Sequence, residues 1–276
     1  MVMCRRITYF ILMALFLLFN SSSVFAKEFS FAQISDVHYS LSDSYPAKYL
    51  YFLKSSIIKK NPDFVVFLGD NVAKSREEDV IGFMQSIYSL RLPYYVVLGN
   101  TDAHKLSGIE KEIYLDIVTT FNHNQKEQET DYYFQPNKDV ICVVLDVTPN
   151  FAPSKHGEIS DEQIAWLDNL LSKNSKKMFF IFHHCPLVPP RVEYQLSMFN
   201  AEKYREMLDK HSNVVLISSG HYRQSAISQD EKGIRHISAP AFEEVPHSYQ
   251  LIKVIYDKKR FRYPKNIEVL VENVKV

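Results

Sequence analysis

Six apolar runs limit what this chain can become: FSFAQIS (29–35), DFVVFLG (63–69), YYVVLG (94–99), VICVVLDV (140–147), KMFFIFHH (177–184) and NVVLISSG (213–220). Bounded by turn residues, they read as strands. Their apolar residues are consecutive rather than alternate, which implies that both faces are covered. Helical patterns of crossover length occupy 47–60 and 76–91. The first three strands are therefore expected as βαβαβ with parallel pairing, and the chain as an α/β protein.

Further helices carry their own start signals. Ser107 and Glu110 have the spacing of a capping box, followed by Ile109, Ile113, Ile117 and Phe121 at four-residue intervals, which predicts a core-facing stripe. Ser160 and Gln163 repeat the box ahead of Trp166, Leu167, Leu170 and Leu171, where the Trp reads as packing. Beyond residue 222 the pattern changes to the shorter segments QSAIS, IRHIS, YQLIKVIY and FRYPKNIEVLV, separated by turn pairs such as Asp257-Lys258, which predicts antiparallel strands. No repeat, low-complexity tract or Gly/Ser-rich linker interrupts residues 27–276, so they read as one domain.

Residues 1–26 stand apart. Arg5 and Arg6 precede eleven continuous apolar residues and then NSSSVFA, with small residues at Val24 and Ala26. That is the layout of a signal peptide cleaved after Ala26, and the apolar run is short for a membrane span. The mature chain is expected to be exported, periplasmic or secreted, with no stable membrane span. Removing Arg5 and Arg6 from 32 basic side chains leaves 30 against 32 acidic ones, a formal charge of −2. Such a balance offers no basic field to a nucleic-acid polymer. Mature Cys142 and Cys185 are too few for a disulfide scaffold; Cys142, inside an apolar run, reads as a small buried hydrophobe, with a bridge between the two left open.

Metal-ligand residue types follow the ends of these runs in order. QISDVHYS places Asp36 and His38 two apart, on one face if the backbone is extended; VVFLGDN ends on Asp70 and VVLGN on Asn100. FFIFHHCP ends on His183 and His184, and LISSGHY on His221. The intervals of 34 residues from Asp36 to Asp70 and 30 from Asp70 to Asn100 each fit one strand plus one crossover helix. In an α/β sheet the ends of the strands share one rim, where ligands bind. Carboxylate, amide and imidazole together suit divalent ions such as Mn²⁺, Fe²⁺ or Zn²⁺.

In these motifs the sequence resembles the calcineurin-like metallophosphoesterase superfamily, whose pattern is Asp-x-His, Gly-Asp, Gly-Asn-His-Asp/Glu, His-x-Pro and Gly-His-x-His. Here it reads DVH (36–38), GD (69–70), GNTD (99–102), HCP (184–186) and GHYR (220–223). FAQISDVHYS and FFIFHHCPL look most like the branch of class III cyclic-nucleotide phosphodiesterases. The resemblance implies a four-layer α-β-β-α sandwich of two mixed sheets flanked by helices. It also implies a phosphoesterase acting through a metal-activated water on a small phosphorylated substrate, a phosphodiester or phosphomonoester. By matched position, Asp36 and His38 would bind the first ion, Asp70 would bridge, and Asn100, His184 and His221 would bind the second.

Two positions depart from the pattern. Thr101 stands where the family has a His beside the leaving oxygen, and His104 is a candidate substitute or a loop residue without a role. Asp102 keeps the acidic position and is expected to orient its neighbours. Arg223 replaces a first-ion His, and a guanidinium cannot be a ligand. It is expected either to point into solvent or to reach into the crevice and pair with a substrate phosphate. His183 and His236 read as packed or hydrogen-bonded side chains. Loops 151–156 and 187–198 are candidates to roof the site. An alternative to hydrolysis is a degenerate relative that binds a metal or a phosphorylated ligand without turnover.

Overall fold

A computed structural model of the chain describes residues 26–106, 108–125, 129–150, 154–191, 196, 198–257 and 267–276. The candidate leader, apart from Ala26, lies outside the described residues. So do Ser107 and parts of both candidate roof loops.

Two large sheets stack against each other. The first runs β13-β12-β1-β2-β3, with β1 (Ala26–Ile34), β2 (Phe64–Phe67) and β3 (Tyr94–Val96) parallel; β12 (Ser248–Asp257) and β13 (Glu268–Lys275) are added antiparallel beyond β1. The second runs β10-β11-β9-β7-β5-β4. Its centre, β5 (Val140–Val144), β7 (Met178–Phe182), β9 (Val214–Ser219) and β11 (Arg235–Ser238), is parallel. The edges β4 (Tyr132–Asn137) and β10 (Ala226–Gln229) are antiparallel. A short parallel pair, β6 (Gly157–Glu158) and β8 (Met198–Phe199), lies apart.

The consecutive apolar positions divide between two faces. Phe64 and Val66 of β2, with Val140, Cys142, Val144, Phe180 and Phe182 from the other sheet, fill the space between the sheets. Val65 and Phe67 point the other way, into a layer shared with α1 (Ser44–Lys60), α2 (Glu77–Tyr88) and α3 (Lys111–Phe121). Ile141, Val143, Phe179 and Ile181 face α4 (Asp161–Lys173) and α5 (Ala201–Leu208). Three apolar layers thus separate four layers of secondary structure, as the sandwich requires.

Several expectations need correction. The strands stop one to three residues before the predicted ends, so the ligand-type residues sit in loops. Helix α3 starts at Lys111 with no side-chain cap from Glu110. His104 and Ile109 are held elsewhere, because the His104 N–H donates to the Ile109 carbonyl and the Ile109 N–H reaches Ser75. The helix accordingly buries Tyr114, Leu115, Ile117 and Val118 and leaves Ile113 exposed. The box of Ser160 and Gln163 is present in full, with Trp166 packed against the core. Beyond residue 222 the strands are antiparallel except β11, which runs parallel to β9. Cys142 and Cys185 are both free and buried, so the bridge does not form.

Candidate metal centre

The loops that leave β1, β2 and β9 share an unusual backbone. Asp36 (φ 52°), His38 (φ 47°), Asp70 (φ 51°), His221 (φ 65°) and Arg223 (φ 58°) all adopt left-handed conformations, sparsely populated for residues with a Cβ. Asp36 and His38 are therefore brought to one side by two local turns with buried Val37 between them, rather than by extended backbone. Hydrogen bonds between the loops hold them: Asp36 N–H to Gly69 O (3.1 Å), His38 N–H to Asp70 O (3.0 Å) and Gly220 N–H to His184 O (3.0 Å). Gly99 allows the closest approach, since a Cβ there would lie 1.9 Å from the Asp70 nitrogen.

Asp70 lies at the centre. Its Oδ2 is 3.4 Å from His184 Nε2 and 3.6 Å from His38 Nε2, while the Thr101 N–H donates to its Oδ1 (2.9 Å). The Thr101 hydroxyl donates to the Val72 carbonyl (2.7 Å), so this residue fastens the Asp70 loop. Asp102, fully buried, accepts from the N–H groups of Asn71 (2.7 Å), Val72 (3.0 Å) and Gly99 (2.8 Å) and from the Asn71 amide (2.9 Å). It ties the end of β2 to the end of β3 and is not among the residues that line the crevice.

The two histidines beside Asp70 define a point. His184 Nδ1 lies 2.8 Å from the Leu68 carbonyl and His221 Nε2 lies 2.8 Å from the Lys155 carbonyl. A carbonyl only accepts, so both nitrogens carry protons, and His184 Nε2 and His221 Nδ1 are the ring atoms left to meet a cation or a proton. Those two atoms face each other at 3.2 Å. Such an arrangement is repulsive unless a cation or a proton lies between them, and a carbonyl-fixed tautomer is the usual support of a metal-binding His. Asn100 Oδ1 and Asp36 Oδ1 are buried with no hydrogen-bond partner among the described residues.

Charge is concentrated here. Burial opposes ionisation of Asp70, yet the His184 and His38 rings outweigh it and hold this carboxyl below the usual range. Burial likewise opposes a charged His184, and Asp70 prevails, drawing its pKa up to about 9. His221 is pushed down to about 4 by enclosure and by His184 beside it. Asp102 is pushed up to about 7 by burial and the Asp70 charge.

Ligand atoms of Asp70, His184 and His221 come within 4.8 Å of one another, as do those of Asp36, His38 and Asp70. The first group fits a divalent ion in donor type, and Asn100 lines the same crevice with an amide oxygen that has no hydrogen-bond partner among the described residues. The second is different, because Arg223 Nη2 sits 2.9 Å from His38 Nε2 and its Nε lies 3.8 Å from Asp36 Oδ1. Of the two expectations for Arg223, solvent or crevice, the chain turns to the crevice, though the partners there are protein groups.

The crevice encloses about 450 Å³ and is lined by Asp36, His38, Asp70, Asn100, Thr101, His221, Arg223 and four further residues, Lys155, Arg191, Leu196 and Tyr222. Lys155, Arg191 and Leu196 come from the candidate roof loops; the sequence signalled the loops but not the residues. Glu243 and Glu244, which pair with Arg223, were missed. Their signal was a loop following β11 at the same rim, and the Glu243 N–H indeed donates to the Asp36 carbonyl (3.1 Å). His104 is not brought to the crevice: it is buried with its ring against Gly108, which corrects its candidacy as a proton donor. His183 is enclosed edge to face with Tyr204, and His236 pairs with Asp230 (3.2 Å), both away from the crevice.

The chain is similar to known proteins over most of its length. The chain is 24% identical over 200 residues to a probable glycerophosphodiester phosphodiesterase of Arcobacter nitrofigilis, covering 68% of this chain and 70% of the relative. It is 24% identical over 204 residues to a probable cyclic nucleotide phosphodiesterase of Moraxella catarrhalis, covering 71% and 72%. Among solved structures, a dimetal phosphatase from Danio rerio shares the fold with a TM-score of 0.69 at 18% identity, covering 88% of this chain and 98% of that one. The model of the calcineurin-like phosphoesterase family matches residues 29–222, a stretch that contains every ligand-type residue from Asp36 to His221. The chain belongs to the calcineurin-like phosphoesterase family.

Proposed function

We propose that this member of a metal-dependent phosphoesterase family is exported and hydrolyses a phosphodiester of a small molecule. The observation that carries the proposal is the convergence of His184 Nε2 and His221 Nδ1, 3.2 Å apart, beside Asp70 Oδ2. Asp70, Asn100, His184 and His221 would hold a divalent ion. An ion held there would supply Lewis-acid polarisation of a phosphoryl oxygen and would lower the pKa of an attacking water.

The chain's own residues do the rest. The carbonyls of Leu68 and Lys155 fix the imidazole tautomers, and Asp102 fixes the loops that present Asp70 and Asn100. Lys155, Arg191 and Arg223 line the crevice, so an anionic substrate is drawn in and a phosphate is oriented by N–H donors. Thr101 offers no proton to a leaving oxygen at neutral pH, and the cationic rim stabilises the developing charge instead. The relatives' names favour a diester. Export rests on Arg5, Arg6, the apolar run and the small residues before Lys27. No helix among the described residues is long and apolar enough to cross a membrane.

The test is hydrolysis of bis(p-nitrophenyl) phosphate by the mature chain with Mn²⁺, beside Asp70→Ala and Asn100→Ala. Turnover lost by about a hundredfold or more in both variants supports the proposal, since even supporting residues around metal sites are worth 10–100-fold. Mn²⁺ binding without turnover of any phosphate ester would instead assign the chain to binding alone.

A further inference from the structure

Accepting that Asp70, Asn100, His184 and His221 hold an ion, we propose that the Arg223 guanidinium is a built-in replacement for a second one, making the centre mononuclear. A guanidinium has donors only, so in the 2.9 Å contact with Arg223 Nη2 it is His38 Nε2 that accepts. The lone pair with which His38 would bind an ion is thereby occupied. Asp36 is engaged through one oxygen: its Oδ2 accepts from the Ser35 hydroxyl (2.5 Å) and the His221 N–H (3.1 Å), while its Oδ1, without a hydrogen bond among the described residues, has the Arg223 Nε as its facing cation at 3.8 Å.

The guanidinium is held from behind. Its Nη1 pairs with Glu243 Oε1 at 2.5 Å, and Glu244 lies at 3.8 Å. The loop carrying both glutamates is joined to the β1 end through Phe242 N–H to Ser35 O (2.8 Å) and Glu243 N–H to Asp36 O (3.1 Å). The left-handed backbone at Arg223 (φ 58°) is part of the same turn that presents His221. A fixed positive charge thus stands among Asp36, His38 and Glu243, and a divalent ion placed on His38 would have to displace it. Arg223 also lines the crevice, so it can meet a substrate phosphate on the side that the missing ion would have served.

The experiment counts ions. The mature chain is equilibrated with Mn²⁺ and analysed by elemental mass spectrometry and by electron paramagnetic resonance. One ion per chain with the signal of an isolated Mn²⁺ is expected. Arg223→His should raise the count to two and produce the signal of a coupled pair; Arg223→Ala should admit a second, weaker ion. Two tightly held, coupled ions in the unsubstituted chain would overturn this inference while leaving the proposed function intact. A count that stays at one in both variants would also overturn it, because something other than Arg223 would then exclude the second ion. No bound ion at all would remove the proposed function together with the inference.

Discussion

The Asp102 carboxylate and the Asn71 main chain are joined at 2.7 Å, and through this bond the residue after Asp70 is fixed by the residue that follows Asn100 and Thr101. Three further donors converge on the same carboxylate, from Val72, Gly99 and the Asn71 amide. Two ligand loops from neighbouring parallel strands are thus set in one geometry by a side chain that never reaches the crevice.

Asp102→Asn places an amide N–H₂ among N–H donors. The chain is expected to remain folded by circular dichroism while its Mn²⁺ affinity, measured by titration calorimetry, falls 10–100-fold, the range for supporting groups around metal sites. An unchanged affinity would show that the loops hold themselves.

The buried Lys111 ammonium pairs with Asp146 Oδ2 (2.6 Å) and donates to the Thr148 carbonyl (2.6 Å), anchoring the start of α3 to the loop after β5. Removing one partner leaves the other charge buried and uncompensated. Lys111→Met should therefore cost about 3–5 kcal/mol in urea denaturation, and Lys111→Met combined with Asp146→Leu should recover much of that loss. A cost below about 1 kcal/mol would mean that water reaches the pair.

Enclosure pushes His183 down from 6.5 to about 3. Between these values the unfolded chain binds one proton that the folded chain does not. The contribution is complete above about pH 6.5 and is lost as the pH falls towards the folded value, at about 1.4 kcal/mol per pH unit. Urea denaturation of His183→Leu between pH 6.5 and 4 should give a stability curve shallower than that of the unsubstituted chain by this slope. Parallel curves would contradict the assignment.

Most of the scaffold was legible because buried parallel strands need consecutive apolar residues, and Phe64 to Phe67 supply both faces of β2 in four positions. The meeting of Asp36, His38, Asp70, His184 and His221 was legible because strand ends share a rim. The conformation at those ends was not: Asp36, His38, Asp70 and His221 are left-handed without being glycine, and only contacts between distant loops stabilise that choice. The α3 start was misread for a related reason, since Ser75, far away in sequence, captures Ile109. The partners of Arg223 come from a glutamate pair whose spacing carries no motif.

His184 Nε2 and His221 Nδ1 are expected to meet on one cation, and calorimetric titration of Mn²⁺ into the chain from Lys27 onward, His184→Ala and His221→Ala tests this most directly. Each substitution should weaken binding by about a hundredfold or more, beyond what supporting residues contribute. Affinity equal to that of the unsubstituted chain in both variants would contradict the account.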